Sequence, residues 1–88
     1  MTPWIVEIKN SVKPDLRKLQ RSYLDARFRS IVDKLTADPY DPSDSFERLQ
    51  PLSARRFSRR INRQHRVVYT IDDDRRTVTI YSAWTHYE

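Results

Sequence analysis

Apolar residues recur along this chain with two different periods, and one gives way to the other near residue 45. At the start, Trp4-Ile5-Val6-Glu7-Ile8 is a short bulky run bounded by Pro3 and by Asn10-Ser11, which marks a β-strand. From Pro14 to Leu35 the spacing becomes helical. Leu16, Leu19 and Tyr23 make one stripe, and Leu24, Phe28, Ile31, Val32 and Leu35 make another, offset by roughly 130° at about 100° per residue. One straight helix cannot bury both stripes, so the spacing predicts two helices meeting between Gln20 and Ser22, with Ser22 capping the second and Asp25 three positions on. Pro14 suits a first helical turn, and Asp15 sets a carboxylate near the positive end of the helix dipole. Asp38-Pro39 ends the second helix, because proline restricts the residue before it and has no amide to donate.

After the turn-rich link from Asp38 to Asp44 the period falls to two. Phe57 and Ile61 alternate with Ser58 and Arg60, Val67, Tyr69 and Ile71 alternate with Arg66, Val68 and Thr70, and Asn62 to His65 form a tight connection between them. This predicts an antiparallel hairpin. If its apolar set faces the helices, Arg60 and Arg66 share the opposite, open face. Asp72 to Arg76 makes the next turn, and Thr77 to Trp84 forms a last strand with Val78 and Ile80 inward. The chain has no glycine, so Asn or Asp is expected wherever the backbone turns left-handed. The expected fold is α+β: an N-terminal strand, two helices, then an antiparallel sheet of three or four strands packed on the helices, as one domain over residues 1–88.

A chain of 88 residues buries only roughly 60 to 65% of its unfolded surface, so the core is thin. Without cysteine, neither disulfides nor thiolate metal sites supplement it, which fits a cytoplasmic protein. The first residues lack a basic region followed by a long apolar one, and no segment is long enough to span a bilayer, so export and membrane insertion are not expected. Two histidines without cysteine have no zinc spacing, and Asp72 to Asp74 reads as a solvated turn. His65 in the hairpin connection reads as a surface residue, and Trp4 and Trp84 as packing residues.

Charge changes the picture more. The net charge is +5, yet residues 1 to 50 carry nine Lys+Arg against eight Asp+Glu, whereas residues 51 to 71 hold six arginines and no acid. Arginine is a planar charged fork that suits phosphate oxygens, and histidine is the side chain best placed to move protons near neutral pH. An all-arginine stripe favours geometry-specific phosphate contacts over simple solubility, with a solvated basic face as the plainer reading.

The wording of Ser58-Arg59-Arg60-Ile61, His65-Arg66-Val67-Val68-Tyr69 and Trp84-Thr85-His86-Tyr87 resembles the Txe/YoeB family of bacterial toxins, within the wider RelE-like group. The resemblance runs nearly the whole chain and is specific from about Phe46 to Tyr87. It implies a ribosome-dependent mRNA endonuclease of the bacterial cytoplasm that needs no metal or cofactor. By that resemblance Arg60 and Arg66 steady charge on the scissile phosphate, His86 protonates the leaving 5′ oxygen and Tyr87 orients the substrate. A glutamate ahead of the hairpin takes the proton from the ribose 2′-hydroxyl, which attacks the neighbouring phosphate. Implied partners are the ribosome with its rRNA, mRNA, and a cognate antitoxin of the YefM/Axe type, in a homodimer or a toxin–antitoxin hetero-oligomer.

The match departs from the family pattern at Gln50 and at Glu88, which follows Tyr87 and adds carboxylate charge beside His86, and the last strand raises a further difficulty. Aligning Pro51-Leu52 with the family's Glu-Pro-Leu puts Gln50 where the glutamate stands, and an amide is a poor base; Glu47, in Phe46-Glu47-Arg48-Leu49, is the nearest carboxylate and is assigned the role. Strict alternation along the last strand also sets His86 on the face of Val78 and Ile80, so a bulge or strong terminal twist is required to free it. The alternatives are a ParE-like relative that poisons DNA gyrase without RNA chemistry, against which His86-Tyr87 argues, and a plain RNA-binding module using the arginines.

Overall fold

The computed structural model of the chain describes residues 3–84. Strand β1 runs Ile5–Ile8, and a single 3-10 turn at Asn10–Val12 leads into helix α1, Lys13–Arg21. Helix α2 spans Asp25–Ala37. The change of apolar stripe does mark a break between helices, but it falls at Ser22 to Leu24 instead of Gln20 to Ser22. Tyr23 adopts φ 58°, and the Leu24 amide donates to Leu19 O at 2.8 Å, so the chain turns over the end of α1 before α2 starts. Ser22 ends α1 and does not cap α2, whose preceding residue is Leu24, with no side-chain cap. Tyr23 is 90% exposed and leaves the stripe assigned to it.

The antiparallel strands expected after the helices are β3 (Arg56–Arg60), β4 (Arg66–Asp72) and β5 (Thr77–Ser82), joined at the edge by a two-residue strand β2, Glu47–Arg48. The N-terminal strand completes the sheet, giving the order β1-β5-β4-β3-β2 with β1 parallel to β5. The long connection from β1 to β5, through both helices and strands β2 to β4, permits this parallel pairing, which no short turn could make. The core lies between helices and sheet. Leu19, Phe28, Ile31 and Leu35 pack with Phe57, Ile61, Val67, Tyr69, Ile71, Val78 and Ile80, as the two periods require. Val12, in the 3-10 turn, adds a fully buried residue.

Left-handed positions fall at Tyr23, Asp44, Ser45, Arg55 and Arg76, so only Asp44 belongs to the expected residue class. Such a conformation costs a residue with a Cβ about 1–2 kcal/mol, which tertiary contacts must offset. Asp44 and Ser45 are consecutive, and they immediately precede Phe46 and β2.

Candidate active site on the open face of the sheet

Arg60 and Arg66 stand directly opposite one another at the hairpin end of β3 and β4, and Ser58 faces Val68 one row along. On the other side of Ser58 is Glu47 of β2. Period-two alternation therefore puts Glu47, Ser58, Arg60 and Arg66 on one face, with Phe57, Arg59, Val67 and Tyr69 on the other. The strand pairing thus unites the two predicted arginines with the predicted carboxylate, because β2 aligns on β3 with Glu47 outward.

Arg66 is the organised member. Its side chain is 13% exposed; Nε donates to Ser58 Oγ at 3.0 Å, Nη2 donates to Ser45 O at 3.0 Å, and Nη2 lies 3.6 Å from Glu47 Oε1. Arg60 is exposed, and its guanidinium has no ion pair among the described residues. Like charges facing across a sheet are unfavourable by some tenths of a kcal/mol to about 1 kcal/mol. Such a pair is suited to an anion placed between them. Gln50 sits beyond β2 in the exposed turn before the cis peptide to Pro51, so the strand delivers Glu47, not Gln50, to Arg66.

Of the bulge or strong terminal twist considered for the last strand, the described residues hold a bulge. Tyr69 pairs with Ile80 but Val68 pairs with Ser82, which leaves Tyr81 as the extra residue of β5. Before it Val78 and Ile80 are buried, and after it Ala83 is buried, so the inward set changes from even to odd numbers. The strand then ends, and Asp15 of α1 accepts the amides of Ala83 at 3.1 Å and Trp84 at 3.3 Å. The assignments to His86 and Tyr87 lie outside the described residues.

Three features were not foreseen. His65 is 3% exposed instead of a surface residue, and its ring stacks on Trp84 with centroids 3.7 Å apart. Ser58 is buried and holds the Arg66 fork. Arg59 is fully buried on the core face, where Nη1 donates to Ser43 O at 2.8 Å and Nη2 to Pro39 O at 3.1 Å. Its place at an inward position of β3, between Phe57 and Ile61, was the readable signal, since it shares their parity.

Around Arg59 the segment from Pro39 to Phe46 is tied down densely. Tyr69 Oη donates to Pro39 O at 3.2 Å, and burial pushes this phenol up to about 12 although the Arg59 charge pulls the other way. Asp44 accepts Arg27 Nη2 at 2.8 Å and Lys34 Nζ at 2.7 Å. Burial of Asp44 pushes its carboxyl upward, but those two cations outweigh it and hold the group below the ordinary value.

A two-helix layer on a five-stranded mixed sheet is a fold this chain shares with solved toxin structures. Of solved structures, the chain superposes on a YoeB-YefM complex from Staphylococcus aureus with a TM-score of 0.77 at 23% identity, covering 96% of this chain and 98% of that one. The archaeal RelE-RelB complex from Pyrococcus horikoshii gives 0.77 at 21% identity, covering 96% and 94%. Residues 16–87 match the model of the family described as YoeB-like toxin of bacterial type II toxin-antitoxin system, and the chain belongs to that family. A curated relative, Toxin YoeB of a Synechocystis strain, is 37% identical over 62 residues, 70% of each chain. No helix among the described residues is long and apolar enough to cross a membrane.

Proposed function

We propose that this toxin is an endoribonuclease that cleaves mRNA in the ribosomal A site and so arrests translation. The observation that carries the proposal is the facing pair Arg60 and Arg66, with the Glu47 carboxylate 3.6 Å from Arg66 on the same open face. Glu47 takes the proton of a ribose 2′-hydroxyl, whose oxygen attacks the adjacent phosphorus. The two guanidinium groups accept the charge that grows on the phosphorane oxygens, and being fixed beforehand they need no reorganisation as it develops. His86 gives a proton to the departing 5′ oxygen, leaving a cyclic phosphate end, and Tyr87 orients the flanking base. Because Glu47 and His86 move the protons and the two arginines take up the charge, the proposed reaction requires no metal.

The family membership supports a toxin held inactive by a YefM/Axe-like antitoxin in the bacterial cytoplasm, in a homodimer or a toxin–antitoxin hetero-oligomer. The net charge of +5 suits ribosomal RNA and mRNA as partners. The test is to add the chain and its H86Q variant to initiated ribosomes carrying a defined mRNA, with mRNA alone as control. Ribosome-dependent cuts by the parent chain, reduced by a large factor in H86Q at unchanged ribosome affinity, are expected. Intact mRNA at toxin excess, together with inhibition of DNA gyrase, would assign the ParE-like activity instead.

A further inference from the structure

We propose that Arg59 is a positioning residue, whose buried guanidinium clamps the Pro39–Phe46 strap to the sheet and so fixes Glu47 beside Arg66. The inference rests on the proposed nuclease reading for its activity arm only. A buried arginine with no carboxylate partner among the described residues is an expensive way to fill a core position, since apolar groups of similar volume would pack there without desolvating a charge. Its contacts say what it does. Nη1 and Nη2 reach the carbonyls of Ser43 and Pro39, at two separate points of the strap, and the guanidinium carbon lies 4.8 Å from the centroid of the Phe46 ring. Phe46 in turn stacks on Phe57 of β3 at 5.6 Å and 7°.

Between Ser43 and Phe46, both held by Arg59, the strap also bonds to β3 and β4. Asp44 O accepts the Arg60 amide at 2.7 Å, Ser45 O accepts Arg66 Nη2, and Glu47 follows at the start of β2. Asp44 and Ser45 are both left-handed, at φ 58° and 54°, so the segment that delivers the carboxylate is held in a conformation it would otherwise relax from. A two-residue edge strand cannot hold Glu47 in place by its own pairing. Arg59 on the core face, the Arg60 amide in the plane of the sheet and the Arg66 side chain on the open face therefore hold the strap at successive points. Lysine keeps the charge but reaches one carbonyl at a time, which makes the fork, not the charge, the feature under test.

The experiment compares the parent chain with R59K by amide hydrogen exchange and by mRNA cleavage on initiated ribosomes. Exchange of the Arg60 amide, which reports the strap, is expected to quicken by about tenfold or more while the β4–β5 amides keep their protection. The kcat is expected to fall by about 10- to 100-fold at a KM within about threefold, the effect of a displaced catalytic group. Should R59K fail to fold, F46L, which removes the ring beneath the guanidinium and keeps the arginine, is expected to show the same pattern more weakly. Parent-like exchange at Arg60 in folded R59K overturns the clamp, and so does a uniform rise over β4–β5, which would make Arg59 a general stability residue. Quickened exchange at Arg60 with parent-like kcat overturns the catalytic consequence. A parent chain that cleaves nothing defeats the nuclease reading alone, because the exchange arm still decides the clamp.

Discussion

Replacing Arg66 by lysine separates a positioned fork from a mere positive charge. The arginine binds Ser58 Oγ and Ser45 O at 3.0 Å each and lies 3.6 Å from Glu47, through two different nitrogens. An ammonium on a flexible stem can keep one of these contacts. With Ser58 fully buried, its hydroxyl is left short of a charged donor, so the loss is about 1–2 kcal/mol of stability, or about 5–15 °C in Tm for a domain of this size. The chemical step should lose more. A fixed donor aimed at developing charge contributes about 2.7–4 kcal/mol, so kcat is expected to fall by about 10²- to 10³-fold, whereas KM, set by many phosphate contacts, moves by less than about threefold. Single-turnover cleavage of a defined mRNA on initiated ribosomes, at saturating toxin, measures this directly. A folded R66K variant whose kcat stays within about threefold of the parent would refute the reasoning, because charge alone would then suffice.

Other outcomes follow from neighbouring residues. E47Q should lose cleavage by a large factor and Q50A should leave it within about threefold, measured in the same ribosome assay; the reverse ranking would remove Glu47 from the base role. Asp44 has a folded pKa below its ordinary 3.8, so its contribution is fully present above that value and is lost as pH falls through the lower folded one. D44N should therefore flatten the acid limb of a stability–pH curve and cost about 1–2 kcal/mol at neutral pH, discounted because Arg27 is 44% and Lys34 28% exposed. The Tyr69 phenol is raised to about 12 against 10.0, so the unfolded chain ionises first and stability declines between those pH values by about 2–3 kcal/mol. Y69F should abolish that alkaline step and cost about 0.5–1.5 kcal/mol below it, as read by denaturant unfolding.

Periodicity made the hairpin legible. Phe57, Ile61, Val67, Tyr69 and Ile71 are all buried, and Arg60 pairs with Arg66 on the open face, because alternation is a property of the backbone and survives any packing detail. The bulge at Tyr81 was legible only as a requirement of the last strand, since nothing local in Thr77 to Ser82 marks where an extra residue falls. Tyr23 was misplaced because a helical stripe ignores the helix end, where a left-handed residue turns the side chain outward. The strand β2 and the Pro39–Phe46 strap escaped notice for a different reason. Their positions are set by an arginine whose burial depends on carbonyls sixteen and twenty residues away, and pattern along the chain carries no record of such pairings.

The most direct test is the chemistry of the RNA ends. Initiated ribosomes carrying a defined mRNA are incubated with the purified chain, the new 5′ ends are mapped by primer extension, and the upstream fragments are weighed by mass spectrometry. Cuts confined to the A-site codon, appearing only with ribosomes and ending in a 2′,3′-cyclic phosphate or its hydrolysed phosphate, are expected. Intact mRNA at toxin excess, or fragments ending in a free 3′-hydroxyl, would contradict attack by the 2′-hydroxyl and with it the roles given to Glu47, Arg60 and Arg66.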